Sequence, residues 1–269
     1  MSMALGSLSA ACLSTSPNFE DLKPAQNFRL MKDEDILYRL HRLEYFWGLS
    51  QGELDPFSEL NHLYVRADVA QLLWSKDIAL VPTTEVLATM NALIKDNFLG
   101  HFYCRRLCFE SVPVQEYEYK LLPIAESGPS LYVLDKSGTN LQRVDYPYHD
   151  LPPLKLSLYP FFATTHAGAA FFKKGSTRDP EYSHPIRVMS AVYTCTVPSE
   201  FLNTSLNTLP GNSHDLAVLD DESTSDSESD VYSGHERERI QCWIQDAGVS
   251  YSKEVSIASE PKEDAASDT

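Results

Sequence analysis

Three side chains that could take part in hydrolytic chemistry lie within eight positions: Asn61, His62 and Asp68. An imidazole can act as a general base, and a carboxylate can hold a divalent cation that stabilises charge on a phosphate. Asn61 and His62 are neighbours, so on a strand their side chains would point to opposite faces. Asp68 begins a predicted helix, where capping of free N–H groups is the favoured alternative to metal binding.

A second candidate site is the spacing His101-x2-Cys104-x3-Cys108, which places three zinc-type ligands close together in the sequence. Structural zinc normally has four protein ligands, and no fourth ligand is evident from the spacing. Buried free thiols are therefore the favoured interpretation of the two cysteines, with a zinc site as the alternative.

A third candidate is a set of modification sites near the C-terminus. Ser223, Ser225 and Ser227 each have an acidic residue three positions later, a pattern that acid-directed kinases favour. Phosphorylation there would add negative charge and could recruit a basic partner. The alternative is an unmodified acidic tail that keeps the chain soluble.

The elements that would position the first group of residues are a strand, a helix and a returning strand. The pattern of apolar residues predicts them over 62–66, 68–74 and 78–81. Thr83 or Thr84 can cap a further helix, whose apolar face follows in the next two turns. We expect the strand, helix and strand to form one compact unit.

The sequence on either side of this unit predicts a mixed fold. Apolar residues at helical spacing predict a helix within 32–49, and a period of two predicts strands from Tyr117 onward. Residues 136–139 have the composition of a hairpin turn. The apolar run that follows predicts a strand over 154–162 and a short helix over 166–172.

The central unit resembles the C-terminal half of an HNH endonuclease motif. It is most similar in pattern to uncharacterised fungal proteins with HNH-nuclease-like domains, and the resemblance extends more weakly over about residues 35–172. Those proteins share a pattern close to N-x(3)-L-R-x-D-[LV]-H-x-L-F-D, followed by a strand that ends in L-[LV]-P-T. The matching residues here are Asn61, Val65, Arg66, Asp68, Val69, Leu72 and Leu73, then Ala79-Leu80-Val81-Pro82-Thr83.

The resemblance implies a ββα-metal nuclease in which a strand His is the general base, an Asn orients it and a helix His helps to hold the cation. This chain departs from that pattern. Ala70 stands at the helix position expected to be His, and Trp74 replaces the Asp that often follows. His41 lies on a predicted helix rather than in a strand. Of the signature residues only Asn61 remains by position, so the resemblance implies a degenerate site.

The charge balance argues against tight binding of nucleic acid. From Asn212 onward the chain has 15 acidic and 4 basic residues, a net charge of −11, and the remaining residues account for −5 of the total of −16. Proteins that bind phosphate backbones present clustered Lys and Arg, and no basic run is visible here. The acidic tail instead favours protein partners.

Cysteine usage and hydropathy predict an intracellular protein, cytoplasmic or nuclear. The five cysteines are odd in number and irregular in spacing, as expected for reduced thiols (positions 12, 104, 108, 195 and 242). The N-terminal residues have neither the basic region nor the long apolar run of a secretory signal, and no stretch approaches the roughly 20 apolar residues that span a bilayer.

The sequence thus predicts a single α+β domain over 27–200 that contains the HNH-like unit, between a flexible N-terminus (1–26) and a mostly disordered acidic tail (201–269). The favoured function is a catalytically inactive scaffold or interaction protein that needs no cofactor. One alternative is a metal-dependent HNH-type endonuclease with atypical ligands, for which a divalent metal would be needed. A second is a small-ligand or protein-binding module with contacts from the strands after 117.

Overall fold

The helices and strands of the chain form a mixed α+β fold, as the sequence predicts. A computed structural model describes residues 8–18, 24–32, 36, 39–135, 140–174 and 179–203. The chain divides into two units, Met1–Gly211 and Asn212–Thr269, and every described residue belongs to the first. Residues 204–269 of the predicted tail and the turn predicted at 136–139 lie outside the described residues, whereas residues 201–203 are helical.

The α-helices among the described residues are α1 Leu40–Phe46, α2 Ala67–Trp74, α3 Thr84–Leu99, α4 Cys108–Ser111, α5 Pro160–Lys174, α6 Pro180–Val192 and α7 Ser199–Asn203. Helix α3 begins directly after Thr83, its N-cap residue, which confirms the predicted helix start. It ends at Gly100, whose N–H donates to the carbonyl of Asp96. None of the described helices is long and apolar enough to cross a membrane.

The strands are β1 Leu13–Ser14, β2 Gln26–Arg29, β3 His62–Val65, β4 Ile78–Pro82, β5 Tyr117–Pro123, β6 Leu131–Leu134, β7 Leu141–Val144 and β8 Leu154–Leu156. They form three small sheets with the orders β1-β6-β7, β2-β3 and β4-β5-β8. All neighbouring strands in these sheets are antiparallel. Strand β4 is buried along its whole length, because α5 packs on the sheet that it forms with β5.

The predicted strand, helix and strand are all present, but the two strands belong to different sheets. Strand β3 pairs with β2, whereas β4 pairs with β5 in a different sheet. The two strands that flank α2 are therefore not partners. Alternation of apolar residues identifies a strand but carries no information on which strand lies beside it, and this is why the sequence could not give the pairing.

The strand predicted over 154–162 is too long. It ends at Leu156, and Pro160 begins α5, which takes the place of the end of that strand and contains the short helix predicted over 166–172. Proline is favoured in the first turn of a helix because it lacks the N–H that would have no partner there. Helix α5 is buried on most of its surface, so its sequence has no amphipathic period that would distinguish it from a strand.

Within the N-terminal segment that the sequence predicts to be flexible, residues 8–15 make defined contacts with the rest of the fold. Leu8 and Leu13 are buried, and β1 pairs with β6. The backbone of Leu8 also accepts a hydrogen bond from the N–H of Lys155 at 2.8 Å and donates one to the carbonyl of Pro153 at 3.2 Å. The many Ser and Ala residues favour a flexible N-terminal segment, but burial of two leucine side chains in the core favours its packing on the fold.

Candidate functional site

The candidate site lies where β2, β3 and α2 meet. Strands β2 and β3 form an antiparallel ribbon in which Arg29 faces His62 and Asn27 faces Tyr64. Helix α2 begins two residues after β3 ends, and α1 lies between β2 and β3 along the chain. Asn61 is the last residue of the 3₁₀ turn that leads into β3.

The carboxamide of Asn61 is fully buried and holds two neighbouring stretches of backbone. Its Oδ1 accepts a hydrogen bond from the N–H of Met31 at 3.1 Å. Its Nδ2 donates to the carbonyl of Met31 at 3.2 Å and to that of Pro56 at 2.9 Å. With both amide hydrogens and the oxygen occupied by backbone, Asn61 fixes the chain entering and leaving the ribbon and does not orient an imidazole.

His62 lies half-buried at the start of β3, and its Nδ1 is 2.9 Å from the carbonyl oxygen of Ser58. Because a carbonyl only accepts hydrogen bonds, this contact requires the proton on Nδ1 and leaves Nε2 as the acceptor of the ring. The ring is therefore fixed by the turn that precedes its own strand. Its neighbour across the ribbon is a cation, Arg29, rather than a metal-binding carboxylate.

Asp68 is the second residue of α2 rather than its cap, because the N-cap position is Arg66. One carboxylate oxygen of Asp68 accepts three hydrogen bonds from the N-terminal segment: from the Ser14 hydroxyl at 2.8 Å, the Thr15 N–H at 2.6 Å and the Thr15 hydroxyl at 3.0 Å. Burial opposes ionisation, but the hydrogen bonds from Thr15 and Ser14 outweigh it and lower the pKa of Asp68. Its contacts are those of a tether between α2 and β1.

The remaining positions of the motif cannot supply the missing ligands. Ala70 is buried on α2 and offers only a methyl group. Trp74, at the end of the same helix, packs on Phe28 with ring centroids 4.4 Å apart. His41 lies on α1, where burial and the nearby Arg42 lower its pKa. It belongs to a helix, as the sequence predicts, and not to the strand from which a general base would act.

The three zinc-type residues lie in and just before two short helical turns. His101 is exposed and accepts a weak hydrogen bond from the N–H of Tyr103, at 3.5 Å. Cys104 is exposed, whereas Cys108 is fully buried. Burial raises the pKa of the Cys108 thiol to about 11, which disfavours the thiolate that a metal needs.

No group of three or more His, Cys, Asp or Glu side chains arranged to hold a metal ion is found among the described residues. The candidate serines Ser223, Ser225 and Ser227 lie outside the described residues. In the described part of the predicted site, the polar side chains of Asn61 and Asp68 connect segments that are distant in the sequence. The hydrogen bonds of Asn61 and Asp68, and the Nδ1 contact of His62, join these side chains to other parts of this chain.

The structure also contains a cleft that sequence reasoning did not locate. Its volume is about 220 Å³, and its floor includes Leu122 of β5 and Phe171 of α5. At the rim, the Lys120 ammonium lies 2.9 Å from a carboxylate oxygen of Asp179, and the ring of Tyr148 forms part of the wall. The alternation in β5 predicts which side chains share a face, but the opposing residues come from segments 25 to 60 positions later, so no local pattern indicated the cleft.

Comparison of the chain with protein-family models, with curated proteins and with solved structures finds no match.

Proposed function

We propose that this chain is a catalytically inactive member of the HNH-nuclease-like group and that it works as an interaction module. The observation that carries the proposal is the use of the Asn61 carboxamide, whose three hydrogen bonds all go to the backbone. An orienting residue in a nuclease must keep one of these groups for the general base. Here the signature residue remains but its hydrogen-bonding capacity is used to hold loops.

Two further features support this proposal. The antiparallel ribbon of β2 and β3, followed by α2, is similar to the ββα arrangement that the resemblance implies, with α1 inserted in the sequence between the two strands. At the same time, the helix position that would ligate a cation is the buried methyl group of Ala70, and one carboxylate oxygen of Asp68 accepts hydrogen bonds from Ser14 and Thr15 while its other oxygen is buried. The scaffold is thus compatible with the family while its chemistry is not.

Exposed aromatic side chains around the ribbon support a role in binding proteins. Phe57 is 65% exposed, Tyr64 is 54% exposed and Trp74 is 41% exposed. The guanidinium of Arg29 lies 4.7 Å from the centre of the Phe57 ring, and the Lys32 ammonium lies 4.0 Å from the centre of a Trp74 ring. Aromatic residues and Arg are enriched in protein interfaces, where such side chains become buried.

The test is plasmid cleavage by the purified full chain with Mg²⁺, Mn²⁺ or Zn²⁺, beside Asp68→Asn and His62→Ala. We expect no cleavage above the buffer control with any metal, from protein whose circular dichroism shows that it is folded. Cleavage by the wild type that both substitutions remove, without loss of folding, would establish an active site with atypical ligands and overturn the proposal.

The cleft at Lys120 and Asp179 favours a second candidate, a module that binds a small ligand. Its floor is apolar and its rim carries a paired cation and anion, the combination by which small-molecule sites fix an apolar body and a polar end. Ligand-observed NMR with a library of aromatic fragments bearing one hydrogen-bonding group tests it. Hits that disappear in Leu122→Trp, which fills the cleft, support this function, and hits that persist in that variant exclude the cleft as their site.

A further inference from the structure

The N-terminal segment 8–15, here called the strap, connects three parts of the fold. Leu8 is hydrogen-bonded to the backbone beside β8, and β1 adds to the edge of β6. The strap ends at Asp68, which accepts hydrogen bonds from Ser14 and from Thr15. The carboxylate of Asp68 therefore holds the C-terminal end of the strap, Ser14 and Thr15, against α2.

Ser16 is the residue after the strap and is hydrogen-bonded to Ser14. Its N–H donates to the hydroxyl oxygen of Ser14 at 3.0 Å, and that same hydroxyl donates to Asp68. The Ser16 side chain is half-exposed, and its hydroxyl oxygen accepts from the exposed N–H of Asn18 at 3.2 Å. The Ser16 hydroxyl is thus partly exposed to solvent. The Ser16 N–H is linked to Asp68 through a single intermediate, the Ser14 hydroxyl.

Ser16 and Pro17 form the single Ser-Pro or Thr-Pro dipeptide of the 269-residue chain. Proline-directed kinases require a proline directly after the phosphorylated residue and bind it in a turn or extended segment. Pro17 and Asn18 are exposed in a bend, which presents the dipeptide to solvent. Since the dipeptide occurs once, a kinase of this class has one site to modify in the whole chain.

We propose that Ser16 is a phosphorylation site for a proline-directed kinase and that its phosphorylation releases the strap from Asp68. In the step, the Ser16 hydroxyl oxygen attacks the γ-phosphorus of ATP. The new bond joins that oxygen to phosphorus, the bond from the γ-phosphorus to the β–γ bridging oxygen breaks, ADP leaves, and the hydroxyl proton passes to the base of the kinase.

Release follows from the charge that phosphorylation adds. A phosphoserine carries a charge of about −1.5 to −2 at neutral pH and is destabilising beside a carboxylate. Here it would be placed on the residue after Thr15, whose N–H and hydroxyl both donate to Asp68, and the Ser16 N–H donates to the Ser14 hydroxyl that also donates to Asp68. Separation of the strap from α2 relieves this repulsion, and the edge of β6 that pairs with β1 becomes exposed.

The test treats the folded full chain with a purified proline-directed kinase and Mg²⁺-ATP. We expect addition of one phosphoryl group at Ser16, found by mass spectrometry of peptides, and none in Ser16→Ala. Amide hydrogen exchange in residues 8–15 and 131–134 should become faster by about tenfold or more, equivalent to ~1.4 kcal/mol of local stability. Exchange in α3 should not change, because the strap does not form part of that helix.

Two controls separate the parts of the proposal. A synthetic peptide of residues 10–22 shows whether the kinase accepts the local sequence, so modification of the peptide but not of the folded chain overturns Ser16 as a site. Phosphorylation of the chain with unchanged or slower exchange in residues 8–15 overturns release. In Asp68→Asn, which lacks the repelling charge, we expect phosphorylation to accelerate exchange less than in the wild type, and an equal acceleration also overturns the mechanism.

Discussion

Asp68 and Thr15, 53 positions apart in the sequence, are joined by two hydrogen bonds to a single carboxylate oxygen, from the Thr15 N–H at 2.6 Å and from its hydroxyl at 3.0 Å. The residue that could have served a nuclease as a metal ligand instead fastens the N-terminal segment to α2. Charged acceptors make stronger hydrogen bonds than neutral ones, so this contact should have a measurable effect on stability.

Replacement of the Asp68 carboxylate should destabilise the fold. We expect Asp68→Asn to lower the free energy of unfolding in urea by about 1.5–3 kcal/mol at neutral pH, the range for hydrogen bonds to a charged group. Asp96→Asn is the matched control, since its ion pair with Arg106 is exposed and such pairs contribute little. Equal stability of the two variants would show that the Asp68 contact does not hold the fold together.

The pH dependence of this effect has a definite sign. The pKa of Asp68 is lower in the folded state than in the unfolded chain, where it is about 3.9. The stabilisation is therefore present above the unfolded value and is lost as the pH falls through the folded one. The difference in stability between wild type and Asp68→Asn, measured by urea unfolding from pH 7 downward, should shrink in acid.

Glu44 should behave in the opposite way. It is buried on α1, and its carboxylate accepts hydrogen bonds from the N–H groups of Gly52 at 2.8 Å and Leu54 at 3.2 Å. Burial raises its pKa, and these backbone hydrogen bonds offset only part of the effect. Its contribution to stability is thus complete below the unfolded pKa, about 4.3, and is lost as the pH rises through the folded value.

The variant that tests this is Glu44→Gln, whose amide oxygen can still accept from both N–H groups. We expect it to unfold at the same or higher urea concentration than the wild type at pH 7, and the advantage to disappear as the pH is lowered. Glu118→Gln, an exposed carboxylate on β5, serves as the control and should change stability little. A large loss of stability in Glu44→Gln at pH 7 would mean that the ionised form is required.

The sequence predicts the helices and strands near the candidate site but not what their polar side chains contact. The start of α3 directly after Thr83 follows from the local pattern, whereas α2 begins at Ala67 with Arg66, not Asp68, at its N-cap. The partners of Asn61 and Asp68 lie 5 to 54 positions away and are mostly backbone groups, for which sequence gives no signal. The HNH-like pattern identifies Asn61 as a residue to consider, and only the geometry gives its contacts.

A glycine pair tests the packing between α1 and the loop before α4. Gly48 has φ +78, and a Cβ there would lie 2.0 Å from the carbonyl oxygen of Arg106. Gly52 has a similar φ of +83, but nothing lies within 4 Å of its Cβ position. Both alanine variants carry the left-handed backbone cost of about 1–2 kcal/mol, and Gly48→Ala adds a clash with backbone.

We therefore expect Gly48→Ala to lower the melting temperature well beyond the shift in Gly52→Ala. The clash involves a carbonyl that also accepts a hydrogen bond from the buried Asn97 at 2.9 Å, so the loop cannot move away without breaking that contact. Differential scanning fluorimetry of the two variants measures the difference. Similar shifts in both would show that the loop relaxes freely around position 48.

The cysteines Cys104 and Cys108 should differ in reactivity, which tests the choice between free thiols and zinc ligands. The thiolate is the reactive form, and Cys108 is buried with its pKa raised to about 11, whereas Cys104 is exposed. Brief treatment of the folded chain with iodoacetamide, followed by peptide mass spectrometry, should modify Cys104 and spare Cys108. Because a shared metal would protect both thiols together, protection of Cys104 that is lost on adding a chelator would contradict the free-thiol interpretation. As a control, iodoacetamide should modify both Cys104 and Cys108 in the urea-unfolded chain, which shows that each residue carries a free thiol able to react.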